Sequence, residues 1–210
     1  MKKIAALLLA LLMGCCAALA EASDKTFQFR DLAWGASYEE INAQVGLDTL
    51  YEEGSPHSVA CALYGGEDIA MDRGVDFYAW YTADAVAGVG KVAGYEVENI
   101  RLSFAAVPNA AGEITGEPAD TALYLARYDL EAGDAKAAFT SLTGKLTRLY
   151  GDVDVEIDDG ANYPTNVWYG AEGTVIALQR YSFYVLHLSY ASGDGDALRL
   201  AAMEANVAGL

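Results

Sequence analysis

Residues 134–151 read DAKAAFTSLTGKLTRLYG, and this stretch decides the fold more than any other. Its apolar side chains, among them Leu142 and Leu146, recur three or four residues apart, which is the pattern of an amphipathic helix. Asp134 is a favourable N-cap residue, and Gly151 is a favourable residue at which such a helix ends. The stretch therefore predicts a helix with one apolar face that must pack against another layer.

Strand-forming runs lie on both sides of this helix. They are rich in β-branched and aromatic residues and are bounded by glycine, proline and polar residues. The predicted strands cover residues 58–64, 75–82, 95–107, 121–130, 167–169, 174–180 and 183–190. Short connections such as Tyr181-Ser182 predict a hairpin and favour antiparallel pairing. In the 121–130 run, alternation would place Leu123 and Leu125 on one face and Tyr124 on the other.

Two further helices are predicted from capping signals. Ser37 followed three residues later by Glu40 forms a capping box, so a helix should run over about residues 38–45 and end at Gly46. A C-terminal helix should follow Asp194 or Asp196 and run through residues 198–207. Runs of strands with separate helices indicate the α+β class, with antiparallel sheet or sheets and helices packed on one face.

The order of elements predicts one α+β domain over residues 27–210, after a polar leader at 21–26. Residues 27–32 should form a strand or an extended segment. Two tandem helix-plus-strands units, 27–120 and 121–210, would make up a pseudo-repeat within that domain.

The first twenty residues have the layout of a bacterial secretory signal peptide. Lys2 and Lys3 precede an apolar run over residues 4–13, and small residues follow up to Ala20. The run is too short to cross a bilayer, which needs about 20 apolar residues, and no later segment is apolar enough to do so. Cleavage is expected after Ala20 or after Ala22.

A lipid anchor is the alternative at the same terminus. Leu12-Met13-Gly14-Cys15 resembles the lipobox of bacterial lipoproteins, in which the cysteine is lipidated and becomes the new N-terminus. The protein would then be attached to the membrane through Cys15. Either pattern predicts a secreted or cell-envelope protein.

Composition and charge exclude several classes of protein. Apolar residues make up 53 % of the chain, which argues against disorder, and the net charge of −17 argues against nucleic acids and anionic membranes as partners. After signal cleavage Cys61 would be the remaining cysteine, so an internal disulfide and a multi-thiolate metal site are not expected. Cys61 is interpreted as a small buried residue.

The opening Phe29-x4-Trp34-Gly35-x-Ser37-x2-Glu40 resembles the start of many uncharacterised exported bacterial proteins and lipoproteins. The later Phe139-x2-Leu142-x3-Leu146-x3-Tyr150-Gly151-Asp152, followed by Trp168, is similar to their second half. The tandem arrangement also resembles β-lactamase-inhibitor-like and outer-membrane assembly lipoprotein modules, which bind proteins. This resemblance implies export and an α+β fold, and it implies no reaction.

Catalytic patterns are missing from the sequence. The two histidines, His57 and His187, match no nucleophile or zinc motif, and there is no Gly-x-Ser-x-Gly. The segment 88–94 is glycine-rich, but its spacing fits no nucleotide-binding loop and favours a flexible hairpin loop. No catalytic or cofactor-binding residue is therefore predicted.

The acidic stretch after the central helix is a candidate cation site. Period-2 alternation would place Asp152, Asp154, Glu156 and Asp158 on one face of a strand, where their carboxylates could bind Ca²⁺. The alternative is a solvated edge strand whose charges block pairing with other chains.

Aromatic residues late in the chain are a candidate binding surface. Trp168, Tyr169, Tyr181 and Tyr184 could together form an exposed aromatic face for a partner protein or for a sugar. We therefore expect a non-enzymatic binding module of the cell envelope or extracellular space, whose partner is a protein or a small extracellular ligand. The alternatives are a carboxylate- or Ca²⁺-dependent extracellular hydrolase and a membrane-anchored lipoprotein with a structural role.

Overall fold

The computed structural model describes residues 24–52, 76–157 and 163–194. Within these ranges three α-helices are present: α1 (Tyr38–Val45), α2 (Ala83–Val89) and α3 (Ala135–Tyr150). A 3-10 turn covers Ala171–Gly173. The strands are β1 (Tyr51–Glu52), β2 (Asp76–Trp80), β3 (Lys91–Val92), β4 (Tyr95–Ala106), β5 (Thr121–Glu131), β6 (Val155–Ile157), β7 (Thr165–Tyr169), β8 (Val175–Arg180) and β9 (Val185–Ala191).

All nine strands belong to one antiparallel sheet. Its order is β1-β2-β4-β5-β9-β8-β7-β6, and β3 pairs with β4. Residues from all three helices pack into the same core as one face of this sheet, around Leu102, Leu123, Ile176 and Leu188. The predicted α+β class is confirmed.

The sheet consists of two four-stranded meanders that meet in the middle. Helix α1 precedes the strands that pair as β1-β2-β4-β5, and α3 precedes those that pair as β6-β7-β8-β9. The junction is the pairing of β5 with β9, in which Leu125 lies opposite Ala191 and Leu130 lies opposite Leu186. A pseudo-repeat divided at residue 120 stays a prediction.

The capping signals place two helices where the sequence predicts them. Ser37 and Glu40 form the reciprocal capping box of α1, which ends at Gly46 with φ +74°. The Asp134 carboxylate accepts hydrogen bonds from the backbone N–H groups of Lys136 and Ala137, both at 3.0 Å. Helix α3 then buries Leu142 and Leu146 against the sheet.

The segment between β2 and β4 contains a helix that the sequence pattern does not predict. Helix α2 has seven residues, Thr82 caps it, and none of its side chains is fully buried. The expected hairpin is present, since Lys91 pairs with Glu96 around a two-residue turn at Ala93-Gly94. Both turn residues have positive φ, as the tight turns of β-hairpins often require.

The alternation expected for residues 121–130 is wrong at one point. A register irregularity opposite Ser103 and Phe104 lets Leu123 face the helices while both Tyr124 and Leu125 pack on the other side of the sheet. A β-bulge produces this effect because it adds a residue to one strand.

Phe27 and Phe29 lie outside the sheet, and the chain turns at Arg30 and Asp31, so the strand or extended segment expected over residues 27–32 is interrupted there. Both rings are buried in the core, and the backbone N–H of Phe27 donates to Thr174 Oγ1 at 3.0 Å.

Several sequence predictions lie outside the described residues. They concern the signal peptide with its cleavage sites, the lipidation candidate Cys15, the strand at 58–64 with Cys61, the residue His57 and the C-terminal helix.

Candidate functional site

Charged residues are buried on the face of the sheet opposite α1, α2 and α3, which we call the far face. Arg127 and Asp129 on β5 form an ion pair with a distance of 2.8 Å from Nε to Oδ1. His187 on β9 lies directly opposite Asp129, and its Nε2 is 3.4 Å from the same Oδ1. We call these three residues the polar cluster, and each is almost fully buried.

The alternation of β9 explains how the histidine reaches this cluster. Leu186 and Leu188 point into the core under the helices, so the alternation of the strand directs His187 to the far face. Among the described residues, no group forms a hydrogen bond with Nδ1 of His187.

Burial controls the protonation of the polar cluster. It lowers the pKa of His187 to about 3, and the nearby positive charges of Arg127 and Arg101 act in the same direction. Burial also raises the pKa of Asp129, although the Arg127 guanidinium opposes that change. The imidazole of His187 is therefore neutral at neutral pH where it contacts Asp129.

Aromatic rings flank the charges of the far face. The Arg101 guanidinium lies 4.2 Å from the centre of the Tyr78 ring, and the Arg127 guanidinium lies 5.8 Å from that of Trp80. Such cation–π contacts contribute about 0.5–2 kcal/mol each and orient the guanidinium groups.

A stack of three rings leads from the polar cluster to the surface. The Tyr181 ring lies on the His187 ring with a centroid distance of 4.1 Å and an interplanar angle of 21°. The Tyr163 ring stacks on Tyr181 at 5.8 Å. Buried His187 thus supports an exposed tyrosine, and that tyrosine contacts a second exposed tyrosine.

The connection between β8 and β9 presents further aromatic side chains to solvent. We call residues Tyr181–Tyr184 the aromatic turn. Phe183 is 85 % exposed and Tyr184 is 65 % exposed, the two largest values among the described large apolar side chains. The turn is two residues longer than the predicted Tyr181-Ser182 connection, because β9 begins at Val185.

Hydrogen bonds hold the backbone of the aromatic turn in place. The backbone N–H groups of Ala132 and Ala135 donate to the carbonyl oxygens of Tyr184 and Phe183, at 2.7 and 3.1 Å. The Ser182 hydroxyl oxygen accepts from the N–H groups of Tyr184 and Val185. The exposed rings therefore extend from a fixed backbone.

A cavity of about 430 Å³ lies beside this turn, and we call it the turn pocket. Its walls come from the start of α3, the end of β8, the aromatic turn and the segment before β7. The lining residues are Asp134, Lys136, Tyr163, Arg180, Tyr181, Ser182 and Phe183.

The predicted aromatic surface is corrected in two respects. Trp168 is 1 % exposed, and its Nε1–H donates to the Gly151 carbonyl on the helix side of the sheet, so it is a core residue. Tyr169 is at the opposite end of β8 from Tyr181, because it pairs with Val175 where β8 begins. Tyr181 and Tyr184 remain together in the aromatic turn.

The predicted carboxylate row is distributed over a turn and a short strand. Asp152 and Asp154 precede β6, and Asp154 Oδ2 accepts the backbone N–H of Tyr169 at 2.7 Å. Glu156 is on β6, the last strand in the order of the described sheet, and Asp158 lies outside the described residues. Within residues 24–52, 76–157 and 163–194, no three metal-ligating side chains converge. A Ca²⁺ site stays a prediction.

The sequence does not single out Phe183, Lys136 or Arg180 as site residues. The available signal is that Phe183 directly follows the predicted Tyr181-Ser182 turn, and large apolar side chains next to a surface turn are candidates for exposure. Lys136 and Arg180 are far apart in the chain, and α3 brings them to the same pocket.

Comparison of the chain with protein-family models, with curated proteins and with solved structures found no match. None of the helices in the described part of the chain has the length and apolar content needed to cross a bilayer.

Proposed function

We propose that this protein is an exported, non-enzymatic binding module of the cell envelope or extracellular space, and that it binds another protein through the aromatic turn. Export is supported by the signal-like pattern of residues 1–20, and attachment through Cys15 is the alternative. The observation that carries the binding role is the exposure of Phe183 and Tyr184 on a fixed backbone.

Exposure of these rings is unfavourable for the free protein. Burying a large apolar side chain stabilises it by about 1.5–3 kcal/mol relative to leaving it in water. Phe183 and Tyr184 forgo most of this gain in the free protein, and a partner that covers them would recover it. Aromatic residues are also over-represented among the side chains that dominate the affinity of protein interfaces.

The fixed backbone lowers the cost of binding. Ordering a flexible loop on association opposes affinity, whereas the hydrogen bonds of Ala132, Ala135 and Ser182 order the aromatic turn beforehand. Because the net charge is −17, a protein partner is favoured over a nucleic acid.

Site-specific photocrosslinking in the native host tests this function. A benzophenone amino acid would replace Phe183 in one variant and Tyr51, an exposed ring on β1, in a control variant. We expect one dominant protein adduct from position 183 and none of it from position 51. With the purified adduct partner, Phe183→Ala should weaken binding at least 10-fold and Tyr51→Ala should leave it unchanged. The same adducts from both positions, or an unchanged affinity for Phe183→Ala, would exclude the aromatic turn as the interface.

A further inference from the structure

The turn pocket indicates what kind of group the partner inserts. Building on the proposed function, we infer that this pocket binds an aromatic side chain adjacent to a carboxylate, as in an acidic aromatic peptide segment. Its volume of about 430 Å³ lies within the range of small-molecule pockets, which is roughly 300–1,000 Å³.

Three rings supply surfaces on which a fourth ring can pack. Tyr163, Tyr181 and Phe183 line the pocket, and each is substantially exposed. His187 supports Tyr181 from behind at 4.1 Å, so the orientation of that ring is fixed before a ligand arrives. Pairs of aromatic rings contribute about 0.5–1.5 kcal/mol beyond the area they bury, which favours an aromatic guest over an aliphatic one.

The charge of the pocket is opposite to that of the chain. Acidic residues outnumber basic ones 30 to 13 in the chain, yet the described lining of the pocket has two cationic side chains, Lys136 and Arg180, and one carboxylate, Asp134. Oδ1 of Asp134 is occupied by the two backbone N–H groups that it caps. The local excess of positive charge favours an anion next to the aromatic guest.

Neither cation has an ion-pair partner among the described residues. Several other cationic side chains already have partners within the described residues. Arg127 pairs with Asp129, Lys91 pairs with Glu96, and Lys145 donates a hydrogen bond to the Ala93 carbonyl. Within residues 24–52, 76–157 and 163–194, no carboxylate therefore competes with a ligand for Arg180 or Lys136 through an ion pair. A guanidinium can bind a carboxylate through two parallel hydrogen bonds, and carboxylates are the anions that protein side chains carry, so for a protein partner we assign the anion as a carboxylate.

A matched pair of probes tests this inference by NMR. The ¹⁵N-labelled protein would be titrated with N-acetyl-L-tryptophan and with N-acetyl-L-tryptophanamide, which has the same ring and no carboxylate. We expect saturable shifts of pocket amides with the acid at millimolar concentrations, and an affinity for the amide that is at least fivefold weaker.

Variants separate the contributions of the ring and of the charge. Arg180→Gln should bring the acid-to-amide ratio close to one, whereas Arg148→Gln, which removes a cation at the other end of α3, should leave it unchanged. Phe183→Ala should weaken both probes equally. The amide spectrum of each variant shows whether the fold is retained.

Two outcomes would overturn the inference: absence of shifts at the pocket with the acid, or equal affinities for the acid and the amide. Either outcome leaves the photocrosslinking result untouched. If position 183 still captures one partner, the binding function stands and the ligand assigned to the pocket is wrong.

Discussion

Replacing His187 with glutamine should remove part of the pH dependence of the stability of this fold. Burial and two arginines lower the pKa of His187 to about 3 in the folded protein, whereas an unfolded chain has a histidine pKa of about 6.5. Between these pH values the unfolded chain binds a proton that the folded protein does not. This contribution to stability is therefore complete above pH 6.5 and is lost as the pH falls towards 3.

The size of the effect follows from the same two pKa values. A single histidine with a pKa of about 3 in the folded protein and about 6.5 in the unfolded chain lowers the free energy of unfolding by about 2 kcal/mol between pH 7 and pH 5. The side chain is 6 % exposed, so solvent does not screen the effect appreciably. The raised pKa of Asp129 acts in the opposite direction, because its protonation favours the folded protein. Since the wild type and His187→Gln both contain Asp129, the difference between their losses of stability reports mainly on His187.

Urea unfolding at pH 7, 6 and 5, followed by tryptophan fluorescence, measures this difference. Glutamine is the chosen replacement because its side-chain N–H can take the place of Nε2 beside Asp129. From pH 7 to pH 5, the free energy of unfolding should fall by about 2 kcal/mol less in His187→Gln than in the wild type. Equal losses in the two proteins would show that the histidine is not held neutral by burial, and the reasoning would be refuted.

Two further predictions concern the core and a turn. Leu142→Ala should lower the free energy of unfolding by about 2–5 kcal/mol in urea titrations, because Leu142 is fully buried. Leu149 is on the same helix and its side chain is 57 % exposed, so Leu149→Ala should change the free energy of unfolding by less than about 0.5 kcal/mol. Gly116→Ala should cost about 1–3 kcal/mol more than Gly112→Ala in thermal melts. Both glycines have positive φ, but only the Cβ at 116 would lie 2.9 Å from the Phe77 ring. Equal losses of stability in the two leucine variants, or in the two glycine variants, would contradict the packing described for Leu142 or for Gly116.

Local signals were sufficient to predict several elements from the sequence. The capping box of Ser37 and Glu40 and the N-cap at Asp134 each determine a helix start within a few residues, and the structure has both. The sequence does not predict helix α2 because its seven residues make about two turns, too few for a recurring apolar stripe to be recognised. The sequence does not predict the bulge at Tyr124, because the bulge is a property of the pairing between β4 and β5 and not of the β5 residues alone.

The sequence predicts the candidate site only in part, because local patterns identify single residues but do not show which of them meet in the fold. Tyr181 and Tyr184 stand out as aromatic residues near a turn, and alternation alone places His187 on the far face. The sequence predicts Trp168 at the surface, whereas it is buried, because composition does not say which face of β7 the helix covers. The meeting of Lys136 with Arg180 depends on α3 packing across β8. No short-range pattern contains that information.

The pairing of β5 with β9 also affects the order in which the protein can fold. Within each meander most neighbouring strands follow one another in sequence, but the two meanders join through Leu125 opposite Ala191. Contacts between distant parts of a chain form slowly, because a long loop must close before they add stability. During synthesis, β5 lacks this neighbour until residue 191 has left the ribosome, so the centre of the sheet closes late. A chain with this property stays incompletely folded through most of its synthesis, which is compatible with the export that we propose.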